Sequence, residues 1–237
     1  MPIQHQPLGH YPCFRADTVD RLGESVEREL GATIVEMAKS TAPISASANR
    51  YSLSSSDLWF CSYGLPIRLR FSETDDLRIQ FQRTGVGATQ VGQNLIPVTA
   101  RQTCITSAKA DVDFGSDYQQ VAWRLPRATL KQKLVALTGR PVTRQLEFDQ
   151  VLDMTTPQSG AVQKILEALL QNIDLALPNS IKLVLPELEN ALAVSFLCTA
   201  QHNYRQLLDR PTPSAAPLAG PQGRKLHRGK LERATHS

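Results

Sequence analysis

Residues 118–149 read YQQVAWRLPRATLKQKLVALTGRPVTRQLEFD, and this stretch sets the plan of the chain. Val121, Trp123 and Leu125 alternate with Gln120, Ala122 and Arg124, a period of two that puts three apolar groups on one face of a strand. Pro126 ends the strand and sits near the first turn of a helix, where a missing N–H costs nothing. Leu130, Leu134 and Leu137 recur at spacings of four and three, so one stripe of that helix meets a core. Gly139 suits the residue after a helix C-terminus, and Pro141 prevents resumption. Before this stretch the chain reads mostly as strands, and after it mostly as helices. It is the joint between two layers.

Working outward toward the N-terminus, Leu77, Ile79 and Phe81 alternate with Arg78, Gln80 and Gln82. Ile67, Leu69 and Phe71 alternate in the same way, as do Leu58 and Phe60 against Trp59 and Cys61. Shorter strands are expected near 95–98, 102–106 and 111–114, with Gly85, Gly87 and Gly92 at tight turns. Many short strands at roughly ten-residue spacing predict a sandwich or small barrel. Val19, Leu22, Val26 and Leu30 predict a helix from about Thr18, opened by Asp17 with Asp20. Residues 1–15 show no periodicity, and 39–56 are Ser-, Ala- and Pro-rich with one strand near Tyr51. Toward the C-terminus, Val162, Ile165, Leu166, Leu169, Leu170 and Ile173 mark a helix with a wide apolar stripe, ended by Pro178. A second begins near Pro186, with Leu188, Leu192 and Phe196 on one face and Ala191, Val194 and Cys198 beside it. A helix that apolar on most sides is buried in a core or against another subunit.

Composition narrows the classes of function. A hydrophobic content of 41% with 20% charge allows a packed core, and no apolar run approaches the roughly 20 residues that span a bilayer. The start of the chain has no charged segment followed by an apolar one, so no signal peptide is expected. Cys13, Cys61, Cys104 and Cys198 form no CxxC pair and predict reduced thiols in a cytoplasm. The net charge of +4 resides wholly in residues 221–237, where Arg224, Lys225, Arg228, Lys230 and Arg233 face one acid, Glu232. The preceding 220 residues balance to zero, so the body is no trap for phosphate.

Catalytic chemistry finds little footing. The histidines are His5, His10, His202, His227 and His236, so none lies on the barrel strands, and a histidine-based metal site there is excluded. His202, near a helix end, predicts a capping or packing role. No G-x-S-x-G elbow occurs, Gly85-Val86-Gly87 is too short for a phosphate loop, and Asp75, Asp76, Asp111 and Asp113 show no pairing. No cofactor, no metal and no enzyme activity are expected. A small barrel with an apolar interior suits a small organic effector, for which Trp59, Tyr63, Ile79, Phe81 and Trp123 are the candidate lining residues.

Three pieces carry a resemblance: the stretch 118–149, "YGLPIRL" at 63–69 and "LENALAVSFLCTAQHNYRQLL" at 188–208. In that order they resemble the effector-binding domain of AraC/XylS-family bacterial transcription regulators. The resemblance implies an α+β fold, a cupin-like jelly roll or β-sandwich preceded by an N-terminal helix and followed by a helical dimerisation subdomain. It also implies a cytoplasmic homodimer that binds a small organic effector and, in intact members, DNA through a following helix-turn-helix domain. The resulting partition is 1–48 as a helical lead-in, 49–125 as the barrel, 126–210 as the helical dimerisation region and 211–237 as a disordered basic tail. Ile165, Leu169, Leu188, Leu192 and Phe196 are the dimerisation candidates.

After the proline-rich 211–217 the family pattern stops. Two readings of the tail stay open: an evolved basic segment, or a frame-shifted remnant of the DNA-binding domain. One permitted back-translation from Gly220, read a base later, gives VRRAESYIEANWSERP, similar to that domain's opening "RRAE-x-YI" helix. The chain is thus read as an effector-binding and dimerisation domain truncated before its DNA-binding domain, with no specific DNA binding of its own. The alternative is a free-standing small-molecule or partner-binding protein with a functional tail.

Overall fold

The computed structural model describes residues 6–39, 44–177 and 180–209. Two antiparallel sheets face each other as a jelly roll. Along the first lie β1 (Pro12–Ala16), β3 (Ala46–Ser52), β4 (Asp57–Ser62) and β11 (Gln119–Pro126), then β6 (Asp76–Thr84), β9 (Gln102–Thr106) and β12 (Val151–Asp153). The second runs β2 (Ala32–Met37), β5 (Ile67–Phe71), β10 (Ala110–Phe114), β7 (Gly87–Val91) and β8 (Asn94–Val98). Strand β11 is central, paired along its length with β4 on one side and β6 on the other.

The helices cover the outer face of the seven-stranded sheet. They are α2 (Arg127–Thr138), α3 (Pro157–Leu175), α4 (Leu185–Thr199) and the short α5 (Arg205–Leu208). Val121, Trp123 and Leu125 point to them, joined by Leu58, Phe60, Leu77, Ile79 and Phe81 from the flanking strands. Burying each such side chain contributes about 1.5–3 kcal/mol. Leu130 and Leu134 of α2, Leu166, Leu169 and Leu170 of α3, and Leu192 and Phe196 of α4 complete this core. A second core lies between the sheets, with Phe14, Leu69, Val112, Phe114 and Tyr118 among its members.

Local signals act as the sequence suggests at several points. Pro126, extended at ψ 133°, closes β11 and caps α2, and Gly139 ends α2 at φ 64°. Thr156 caps α3, its hydroxyl accepting from the Ser159 N–H, with Pro157 at the first helical position. At the N-terminus the cap is Thr18, which accepts from the Arg21 N–H, whereas Asp17 instead pairs with Arg21 four residues on. The first helix, α1 (Val19–Ser25), continues as a π-helical turn to Leu30 and stops at Gly31 with φ 61°.

Three expectations change. The segment 1–48 is not simply helical: β1 and β2 belong one to each sheet, and β3 crosses the 48/49 boundary. Short edge strands such as PCFRA lack a clean alternation, so register with a neighbour, not sequence pattern, makes them strands. Likewise β12, inside the region expected to be helical, pairs with β9 and extends the sheet. The acids Asp111 and Asp113 are paired after all, across the outer face of the five-stranded sheet, with Arg70 at 2.7 Å and Arg68 at 2.5 Å. Pro178 and the tail beyond 209 lie outside the described residues.

Candidate functional site

The alternation in β11 and β6 has a second consequence. Helices cover one face of these strands, so Gln120, Ala122 and Arg124, with Arg78 and Gln80, face the space between the sheets. Along β4 and just past its end the inward positions are Trp59, Cys61 and Tyr63, and all three belong to the inner core. Strand register sets two rows across this wall. Trp59 stands opposite Ala122, which stands opposite Gln80. One step toward the barrel end, Arg124 stands opposite Arg78, which stands opposite Thr106.

The inward wall is polar and buried. Gln80 and Thr89 are fully buried, Gln120 is 3% exposed and Arg78 only 6%. The Thr89 hydroxyl donates across the lumen to Gln80 Oε1 at 2.6 Å, and Tyr118 donates to Gln120 at 3.2 Å. Trp59 is stacked beneath guanidinium groups, with Arg50 4.9 Å and Arg124 5.8 Å from its ring centre. The Arg78 guanidinium lies 3.9 Å over the Phe71 ring of the opposite sheet. Yet Arg78 Nε and Nη1, Gln80 Nε2 and Trp59 Nε1 are buried without an acceptor. Burial, with Arg124 close by, lowers the Arg78 pKa to about 10. Burial also raises the Cys61 thiol to about 12 and Cys104 to about 11, so both stay protonated and unreactive at neutral pH.

The five pocket candidates therefore divide. Trp59 and Tyr63 face the lumen, Tyr63 with its hydroxyl beside the Cys61 thiol. Ile79, Phe81 and Trp123 do not; they lie on the other face, beneath the helices, where Trp123 meets Phe196 edge-on at 5.6 Å. The reason is parity: Trp59 and Trp123 hold opposite orientations on neighbouring strands. Arg78, Gln80, Gln120 and Arg124 do not stand out in the sequence, because polar residues between apolar ones ordinarily face solvent. Their signal was present in the helices predicted after residue 126, which claim the apolar face and leave the polar one to the barrel interior.

Two open clefts lie away from this wall. One of about 420 Å³ is bordered by Met37, Ile67, Arg68, Val86 and Phe114, and another of about 470 Å³ lies between the 54–55 loop, α2 and α4. Among the described residues, no three His, Cys, Asp or Glu side chains converge as a metal site would require. No described helix is long and apolar enough to cross a membrane.

The dimerisation candidates also separate. Leu169, Leu192 and Phe196 are fully buried within the subunit, while Ile165 and Leu188 are half-buried at its edge. Exposed apolar side chains gather instead near the α3–α4 connection, at Leu175, Leu177, Leu183 and Val184.

Comparison with known proteins adds the lineage. Residues 23–198 match the model of the AraC-binding-like domain. The AraC-like transcriptional activator CuxR superposes with a TM-score of 0.57 at 9% identity, over 86% of this chain and 72% of that one. An RmlC-like cupin protein from Desulfovibrio desulfuricans gives a TM-score of 0.31 at 14% identity, over 34% and 82% of the two chains. No curated protein matches this sequence. The fold is a cupin-like sandwich of two antiparallel sheets with an N-terminal helix and C-terminal helices.

Proposed function

This chain belongs to the AraC-binding-like domain family, and on that premise we propose that it is the effector-binding domain of an AraC-type transcription regulator. In this reading a small organic molecule enters the barrel, and the protein acts by binding and not by catalysis. The observation that carries the reading is the inward wall, where Trp59, Arg78 and Gln80 hold buried N–H groups with no acceptor. A buried donor without a partner costs about 1–3 kcal/mol, so a site that keeps several together is built to be completed from outside.

The protein is further proposed to work in the cytoplasm as a homodimer. Because Leu169, Leu192 and Phe196 are occupied inside the subunit, the dimer contact is assigned to the exposed Leu175, Leu177, Leu183 and Val184, flanked by Leu188. The chain as it stands is proposed not to read DNA sequence, since its basic excess is confined to residues 221–237.

Tryptophan emission tests the effector reading, since the chain has only two tryptophans. Trp123→Phe leaves Trp59 as sole reporter. A metabolite panel that contains the effector is expected to change Trp59 emission and raise the melting temperature together. Emission and melting that never move together, in any compound class, would remove the support for an interior site.

A further inference from the structure

We infer that the barrel interior receives the carboxylate of a monoanionic organic acid, with Arg78 as its counter-ion; this rests on the effector-binding reading above and names the chemistry of its ligand. Arg78 is 6% exposed, and its Nε and Nη1 meet no acceptor. No described carboxylate forms an ion pair with it. The charges nearby sharpen the imbalance. Arg124 stands directly opposite on β11, and its own nearest acid, Asp76, is 3.9 Å away. Arg50 is held by Asp57 at 3.1 Å. One positive charge in this corner is therefore left uncompensated inside the protein. An isolated buried charge is strongly unfavourable, while the same charge paired and hydrogen-bonded is tolerated.

The unpartnered nitrogens on the inward wall are all donors. Trp59 Nε1, Gln80 Nε2 and the two Arg78 nitrogens offer N–H groups, and Gln80 Oε1 is already taken by Thr89. The Tyr63 hydroxyl, also unpartnered, lies past the far end of β4, so the free groups nearest Arg78 only donate. Donors around one uncompensated positive charge complement a group that only accepts and carries one negative charge. A carboxylate meets both conditions, and planar guanidinium–carboxylate pairing adds directional strength. A phosphate dianion would overcompensate the single charge. Phe71 beneath Arg78, and Trp59 beside Ala122 on the neighbouring row, supply aromatic surface for an apolar body attached to that carboxylate.

The test uses the full chain with benzoate and hexanoate, each beside its neutral amide, and inorganic phosphate as a further arm. At least one acid is expected to raise the melting temperature and, in the Trp123→Phe background, shift Trp59 emission, whereas benzamide and hexanamide do neither. Arg78→Met is expected to melt higher than wild type without ligand, since it removes an unpaired buried charge, and to lose the acid response. Arg78→Lys keeps the charge without the planar fork, so it should retain the response at an affinity lower by about tenfold. Failure of Arg78→Met to fold counts with melting lower. An Arg78→Met protein that melts lower without ligand would overturn the inference, as would stabilisation by phosphate in preference to either acid. Amides acting equally on wild type and Arg78→Met would sink the carboxylate while leaving the effector-binding reading intact. If neither acid acts on a folded wild-type chain, the carboxylate assignment falls.

Discussion

His202 shows how a single side chain can tie a helix end to its surroundings. It is 8% exposed; the Tyr204 N–H donates to Nδ1 at 3.2 Å, which makes Nδ1 the acceptor and leaves Nε2–H to donate to the Leu197 carbonyl at 3.1 Å. That geometry requires the neutral ring, and burial lowers its pKa below the usual 6.5. A depressed histidine favours the unfolded state once protons bind there first, so stability should fall as pH drops through about 6.5 and level off below the folded-state pKa. Urea titrations between pH 8 and 5 should show this fall, and His202→Gln should flatten it. A wild-type slope unchanged by the substitution would mean that other groups set the acid limit. At the same scale, Gly87 has no room for a methyl group, because a Cβ there would stand 2.5 Å from the Tyr118 ring. Gly87→Ala is expected to displace Tyr118 and lower the melting temperature.

Between elements, Glu189 joins the helical layer to the barrel. From α4 it reaches the β3–β4 loop and accepts from the N–H groups of Ser54 and Ser55, both at 3.0 Å, and from the hydroxyls of Ser55 and Ser56. Hydrogen bonds to a charged group are each worth about 1.5–3 kcal/mol, and leaving these loop donors unmatched adds a penalty. Glu189→Ala should therefore cost roughly 2–4 kcal/mol in chemical denaturation, and Glu189→Gln, which keeps the shape, somewhat less. Helix α4 also decides how the dimer proposal is tested. Leu192→Asp places a carboxylate in a fully buried core and is expected to yield insoluble protein. Leu183, 69% exposed, is the informative site: Leu183→Asp should leave the melting temperature nearly unchanged and give monomers in sedimentation. A wild type already monomeric at micromolar concentration would count against the dimer.

Across the whole molecule the charge is unevenly placed. The five-stranded sheet carries its outer charges as ion pairs, Arg68 with Glu36 and Asp113, and Arg70 with Asp111. Residues 221–237 hold the entire net excess. Any DNA attraction by this chain should accordingly be indifferent to sequence, weaken steeply as salt rises and disappear when residues 221–237 are deleted. Retardation assays at two salt concentrations with specific and scrambled promoters separate the cases. Sequence-selective retention at the higher salt would show a recognition element outside that segment.

Local rules suffice where a residue's preference is set by its own neighbours in the chain. Pro126, Leu130, Leu134 and Gly139 define a strand end, a helix and its stop by backbone geometry and period alone, so that joint was legible in advance. The layer order followed, as did the apolar face of β11. What the helices cover and what the lumen contains depend on which strands lie side by side. Trp59 and Trp123 look equivalent in sequence, yet one lines the lumen and the other packs beneath α4, because adjacent strands meet with opposite parity. Arg78 looks like a solvated residue between two apolar ones until the second sheet closes over it. PCFRA becomes a strand only because β3 offers it a register. Leu192 and Phe196 would suit a partner subunit as well as a sheet, and only tertiary packing gives them to the sheet. Periodicity fixes which residues share a face; the closing of two sheets and a helical layer decides whether that face meets water, a core or a ligand.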